Sequence, residues 1–240
     1  MRLWLTTAFA LVATGALAQD VVRIATEGAY PPFNFLDDSG KLAGFEIELG
    51  NELCARAGLT CEWVQNDWDS IIPNLVSGNY DVIIAGMSIT EERDEVIDFT
   101  PPYFPPTESA YVAASADVDL TSGVIAAQTA TIQAAHVAES GATLLEFATP
   151  EETVAAVRNG EADAVLADYD FLAPIVAASN GELMFVGERV PLGNGVGAGL
   201  RESDTALRDA LSAAIQSMKD DGSLNALLAK WFPGEEIPQF

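Results

Sequence analysis

"GFEIELGNELCARAG", residues 44–58, is the stretch on which the fold turns. Its apolar residues Phe45, Leu49, Leu53 and Ala57 recur every fourth position, the stripe of an amphipathic helix with one buried face. Ahead of it lies "VVRIAT" (21–26), a short β-rich run, and then a Gly/Pro/aromatic loop, "EGAYPPFNF" (27–35). Behind it come a strand at "CEWV" (61–64), a helix from about Asp69 to Ser77, and a strand of buried type at "DVIIAG" (81–86). Strands alternating with helices in this way predict an α/β fold with mostly parallel pairing.

The pattern returns further on. "SGNYDVIIAG" (77–86) lines up with "NGEADAVLAD" (159–168), Gly78 matching Gly160 and Asp81 matching Asp163, with an apolar strand after each. Two unrelated helix-turn-strand units could look alike by chance. Taken as a repeat, they give two similar lobes with Gly86 and Asp168 at equivalent strand ends, the edge at which open α/β sheets hold ligands. "TPPYFPPTESAYVAA" (100–114) and "VPLGNGVGAGL" (190–200) mix extended residues with Pro or Gly and read as crossings between lobes. Lobe one is then expected over about 21–107 and 200–240, and lobe two over 112–192. The last part of lobe one is two helices on either side of Gly222.

At the amino terminus, "MRLWLTTAFALVATGALAQD" has one basic residue, an apolar run and the small-x-small pattern Ala16-Leu17-Ala18, the marks of a secretory signal over 1–18. The run is short for a membrane span. A hydrophobic content of 49% predicts a folded globule. With 36 acidic against 11 basic residues the formal charge is −25, which excludes a nucleic-acid surface and disfavours anionic lipid. Such a field weakly favours cationic partners, but salt screens it within about 10 Å, so local residues must identify a ligand.

Cys54 and Cys61 lie in "CARAGLTC" of an exported chain, which favours one local disulfide over two free thiols. Gly58 supplies the turn that would bring them within bridging range. Two thiols and the single histidine, His136, make no soft-metal cluster, and neither a metal nor another cofactor is expected. Arg93 is harder to place, because "MSITEERDEVIDF" (87–99) surrounds it with Glu91, Glu92, Asp94 and Glu95. Such a run is usually a solvated helix face; the alternative is an arginine held for an anion.

The segment 44–58, together with "ATEGAYPPFNF", "NDWDSIIPNL", "YDVIIAGMSITEERDEVIDFT" and the terminal "DDGSLNALLAKWF", resembles the family 3 bacterial extracellular solute-binding proteins, the amino-acid receptors of ABC importers. The motifs stand in the family's order along the whole chain after the signal. The resemblance is strongest to lysine/arginine/ornithine, histidine and octopine/nopaline receptors, which have a local disulfide of the same spacing. It implies a two-lobed periplasmic-binding-protein fold of type II, each lobe a mostly parallel sheet flanked by helices, joined by two hinge strands. It also implies a periplasmic monomer that hands an L-amino acid to an inner-membrane ABC permease.

Carried onto this sequence, the family's S-I-T-x-x-R arginine is Arg93, which would pair with the ligand α-carboxylate, a fork meeting a fork. The α-ammonium would meet Asp168, Ser88 and the Gly86 carbonyl. Taken alone, Asp168 could equally cap the helix that follows it. In the loop "AAQTATIQAAH" the backbone N–H groups of Thr131 and Ile132 would add donors to the carboxylate, and Gln128 belongs to the same ligand set. This loop reads Ala130-Thr131-Ile132 where the family usually has Gly-Thr-Thr or Gly-Thr-Ser. Ala85-Gly86 stands where the basic amino-acid receptors often have two serines, a less polar lining. Glu27 would face a distal cation on the side chain, with Tyr30 and Trp68 sandwiching its methylene stem, so a basic amino acid is expected ahead of a neutral polar one or an opine. The rival class is a periplasmic dehydratase on the same fold, which no added nucleophile and base pair supports. A sensor module is a third class.

Overall fold

The apolar stripe folds as a helix over Phe45–Ala57 that buries Phe45, Leu49 and Leu53. Gly58 ends it in the left-handed conformation, φ 67°, and the Leu59 N–H returns to the Cys54 carbonyl at 2.9 Å. That reversal brings the Cα atoms of Cys54 and Cys61 to 6.3 Å, and a disulfide joins them. The buried face meets Leu211, Ile215, Met218, Leu224 and Leu228 of the helices Thr205–Asp220 and Ser223–Trp231. Each such leucine removed from water stabilises the lobe by about 1.5–3 kcal/mol.

The computed structural model describes residues 21–233 and Phe240. The expected signal, 1–18, lies outside the described residues. Two five-stranded sheets organise the rest, each the centre of one lobe. In lobe one the strand order is Cys61–Gln65, Val22–Thr26, Val82–Ile83, Gly199–Leu200 and Asp98–Phe99. In lobe two it is Thr143–Phe147, Val124–Gln128, Ala164–Asp168, Glu108–Ala113 and Met184–Pro191. A second core, with Val112, Ala126, Val157, Val165, Phe171 and Leu172, fills lobe two.

The expectation of mostly parallel sheets is corrected to mixed ones. Strands joined through helices do run parallel: Val22–Thr26 with both Cys61–Gln65 and Val82–Ile83, and Val124–Gln128 with both Thr143–Phe147 and Ala164–Asp168. Strands that arrive along the crossings enter from the other lobe and pair antiparallel, as Gly199–Leu200 and Glu108–Ala113 do. Two local expectations also shift. The helix read from Asp69 to Ser77 is a 3₁₀ turn, Trp68–Ser70, followed by a short helix, Ile71–Val76. The strand at 81–86 has ladder pairing only over Val82–Ile83.

The two crossings pair with each other. Val196 donates to the Phe104 carbonyl at 3.0 Å and accepts from Tyr103 at 2.9 Å. Gly195, φ 94°, allows this approach, since a Cβ there would lie 2.9 Å from the Phe104 carbonyl oxygen.

Candidate functional site

The carboxyl ends of the parallel strands face one another across the gap between the lobes, and the chain places a polar residue at nearly every one. Glu27 follows Val22–Thr26, and Gly86 and Ser88 follow Val82–Ile83. Opposite them, Gln128 ends Val124–Gln128 and Asp168 ends Ala164–Asp168. A small cavity lies between, lined by these five together with Tyr30, Trp68, Ala85, Arg93, Thr131 and Ile132. All eleven residues expected from the sequence to touch a ligand therefore border one cavity. Gln133 is the remaining lining residue.

Arg93 sits on a one-turn helix, Glu91–Asp94, capped by the Thr90 side chain, which accepts the Arg93 N–H at 3.2 Å. Its four acidic neighbours are exposed on the other sides of that turn. Its guanidinium donates to the Ser88 carbonyl at 2.8 Å and to the Ala130 carbonyl of the opposite lobe at 3.4 Å, and lies 5.3 Å from the Trp68 ring centre. Among the described residues no carboxylate forms an ion pair with it. Burial without such a partner lowers its pKa to about 10, while the charge of Asp168 works the other way.

Asp168 occupies the position that would cap the helix Tyr169–Ala178, yet its side chain makes no capping bond. It turns into the cavity instead, accepting from the Tyr30 hydroxyl at 2.7 Å and from Gln133 Nε2 at 2.8 Å. Gln133 also donates to Ser109 at 3.0 Å. Burial raises the carboxyl's pKa against the lowering effects of Tyr30 and Arg93. The cleft thus holds a half-buried cation without an ion-pair partner among the described residues and a desolvated carboxylate on the opposite lobe, and each is short of the opposite charge that a zwitterion would bring.

At the other polar end, Glu27 is buried and accepts from Gln128 Nε2 across the cleft at 2.6 Å. Desolvation pushes its pKa up to about 7, with Asp67 and Asp69 adding to the rise and the Gln128 bond opposing it. The aromatics differ from a simple sandwich. Tyr30 stacks on Phe171 with ring centres 4.4 Å apart, and Trp68 donates its indole N–H to the Ala130 carbonyl at 3.3 Å. Ala130 stands at φ 59°, where the family's usual glycine would carry no Cβ penalty. Its carbonyl is thereby presented to both Trp68 and Arg93. Thr131 caps the helix Ile132–Ser140, its hydroxyl accepting from the Ala134 N–H at 3.1 Å, and the helix begins at the cavity wall, where Thr131, Ile132 and Gln133 line it.

Sequence reasoning missed three supports. Gln133 and Phe171 read as ordinary residues of apolar helical stretches, although a lone glutamine in a first turn at the cleft edge was a usable signal. Glu46 carried no such signal. It is wholly buried, accepts the Gly86 N–H at 2.6 Å and Asn34 Nδ2 at 2.7 Å, and also bonds the Tyr103 hydroxyl.

Known proteins resemble this chain over nearly its whole length. Residues 22–234 match the family described as bacterial extracellular solute-binding proteins, family 3. A crystal structure of a periplasmic His/Glu/Gln/Arg/opine family-binding protein from Silicibacter pomeroyi in complex with lysine is 71% identical, with a TM-score of 0.89, covering 92% of this chain and 100% of that one. The arginine-binding periplasmic protein of Mannheimia haemolytica is 31% identical over 96% of this chain and 98% of its own. The octopine-binding periplasmic protein of Rhizobium meliloti is 31% identical over 96% of each.

Proposed function

This chain belongs to family 3 of the bacterial extracellular solute-binding proteins, and from that membership and the cleft we propose that it is a periplasmic receptor for an L-amino acid with a basic side chain. In this reading residues 21–107 and 200–233 make one lobe and 112–192 the other. A ligand bridging them drives closure because it binds the closed cleft better than the open one. The closed monomer presents the amino acid, unchanged, to an ABC permease.

The observation that carries this reading is the opposition of Arg93 and Asp168, two half-buried, desolvated charges that, among the described residues, have no counter-charge in ion-pair contact. An α-carboxylate would take the guanidinium fork and the amides at Thr131 and Ile132. An α-ammonium would take Asp168, the Ser88 hydroxyl and the Gly86 carbonyl. Relatives named for arginine and octopine binding, and a solved neighbour holding lysine, support a cationic side chain directed at Glu27.

Arg93→Ala should abolish binding of every amino acid whatever its side chain. Leaving a buried charge unpaired costs roughly 3–5 kcal/mol, more than about a hundredfold in affinity. Lysine at the position should restore little, since it cannot present the fork. Unchanged affinity in the alanine variant, measured by calorimetry, would reduce Arg93 to a solvated helix residue.

A further inference from the structure

Glu46 is the second residue of the helix Phe45–Ala57, yet its side chain is wholly buried and does not border the cavity. A carboxylate is tolerated in such a place only where donors surround it, so the groups it gathers are informative. Its Oε1 accepts the Gly86 N–H at 2.6 Å and also bonds the Tyr103 hydroxyl, and its Oε2 accepts from Asn34 Nδ2 at 2.7 Å. Burial raises its pKa, and the same three donors oppose the rise.

Each donor leads to a different part of the binding apparatus. Gly86 lines the cavity and stands at φ 64°, a turn conformation that its N–H bond to Glu46 holds in place. Asn34 is a relay. Its Oδ1 accepts the Gly28 N–H at 2.7 Å, so its nitrogen faces Glu46, and a chain of bonds that starts beside Glu27 ends on the same carboxyl. Tyr103 belongs to the hinge crossing, where its N–H donates to the Val196 carbonyl at 2.9 Å.

The polarity of these bonds leaves no freedom, because Gly28 and Gly86 offer backbone N–H groups that can only donate. An oxygen is therefore needed at both carboxyl positions. An amide at position 46 would have the same shape but would set an N–H against Gly86 or against Asn34, and turning Asn34 over would only move the conflict to Gly28. In every arrangement one cleft loop loses its anchor.

We propose that Glu46 is a positioning residue, a carboxyl behind the cleft that fixes the Gly28 and Gly86 loops, and with them the Gly86 carbonyl, to the Tyr103 side chain of the hinge. This rests on the amino-acid-receptor reading and adds to it a residue that acts on the ligand only through its neighbours.

The test is calorimetry with L-arginine and L-lysine, each compared with its counterpart lacking the α-ammonium, 5-guanidinopentanoate and 6-aminohexanoate. Glu46→Gln should weaken the amino acids by about tenfold or more. Their advantage over the counterparts should narrow by about threefold or more, since the Gly86 carbonyl serves the ammonium. Glu46→Asp keeps both oxygens on a shorter arm and should bind the amino acids more tightly than Glu46→Gln does. A packing role predicts the reverse order, because glutamine preserves the volume and aspartate leaves a cavity. That reverse order, or equal losses for amino acids and counterparts in Glu46→Gln, would overturn the proposal. Tyr103→Phe keeps the ring, removes one donor and should weaken the amino acids by about threefold. Circular dichroism and melting establish which variants fold; if neither Glu46 variant does, unchanged affinity in Tyr103→Phe overturns the proposal. A wild type that binds neither amino acid would instead strike the receptor reading itself.

Discussion

Glu27 shows how one carboxyl can tie specificity to pH. In the closed cleft without a cation, burial holds its pKa at about 7, above the ordinary glutamate value. A neutral side chain would leave it in that state, so below about pH 7 the complex holds a proton there. A cationic side chain would keep the carboxylate ionised. Replacing bound citrulline by arginine therefore releases a proton below about pH 7 and is favoured by raising the pH. The preference for arginine should be full above about pH 7 and should shrink by about tenfold or more between about pH 8 and pH 5.5, as competition calorimetry at the two values would measure. A preference independent of pH would mean that Glu27 does not face the ligand's distal group. Glu27, Arg93 and Asp168 stand out in the sequence only through the family resemblance; read alone, Arg93 passes for a solvated helix face and Asp168 for a helix cap. The sequence hid Glu46, since a glutamate between Phe45 and Ile47 reads as part of a helix's wet face. Its partners Gly86 and Tyr103 are brought to it only by tertiary folding, 40 and 57 positions away.

The elements were most legible where periodicity is long. Thirteen residues of helix at Phe45–Ala57 announce themselves by their stripe, whereas two paired residues at Val82–Ile83 carry no period to read. Their strand identity comes from the ladder with Val22–Thr26. The antiparallel strands of both sheets were missed for a related reason: the direction of a strand entering from another lobe is set by the crossing, not by its own residues. The disulfide closes a short loop between the first helix and the strand Cys61–Gln65, and neither cysteine lines the cavity. By the chain-entropy estimate such a loop contributes roughly 2–3 kcal/mol. Reduction should lower the melting temperature by about 5–10 °C and leave amino-acid affinity within about twofold. Calorimetric melting and ligand titration with and without reductant would check both. An affinity loss of tenfold on reduction would contradict the separation of staple from cleft.

At the scale of the whole molecule, the contacts between lobes describe a closed state. The Tyr30 hydroxyl reaches Asp168, Gln128 reaches Glu27, and Trp68 and Arg93 both reach the Ala130 carbonyl. These bonds are polar, and the two cores on either side are distinct clusters that touch through Tyr30, which stacks on Phe171. Closure can therefore be reversed without unfolding either lobe, with the paired crossings at Tyr103–Phe104 and Val196 acting as the hinge. A zwitterion adds to this set the charges that Arg93 and Asp168 lack, and that difference between the open and closed states is what makes the molecule a receptor. The most direct measurement is calorimetry of the refolded, ligand-stripped protein against the twenty amino acids, ornithine, citrulline and opines. The account predicts one site per chain, with arginine, lysine or ornithine bound most tightly and their decarboxylated amines not bound. Absence of binding by any amino acid, or equal binding of the amines that lack the α-carboxylate, would contradict it.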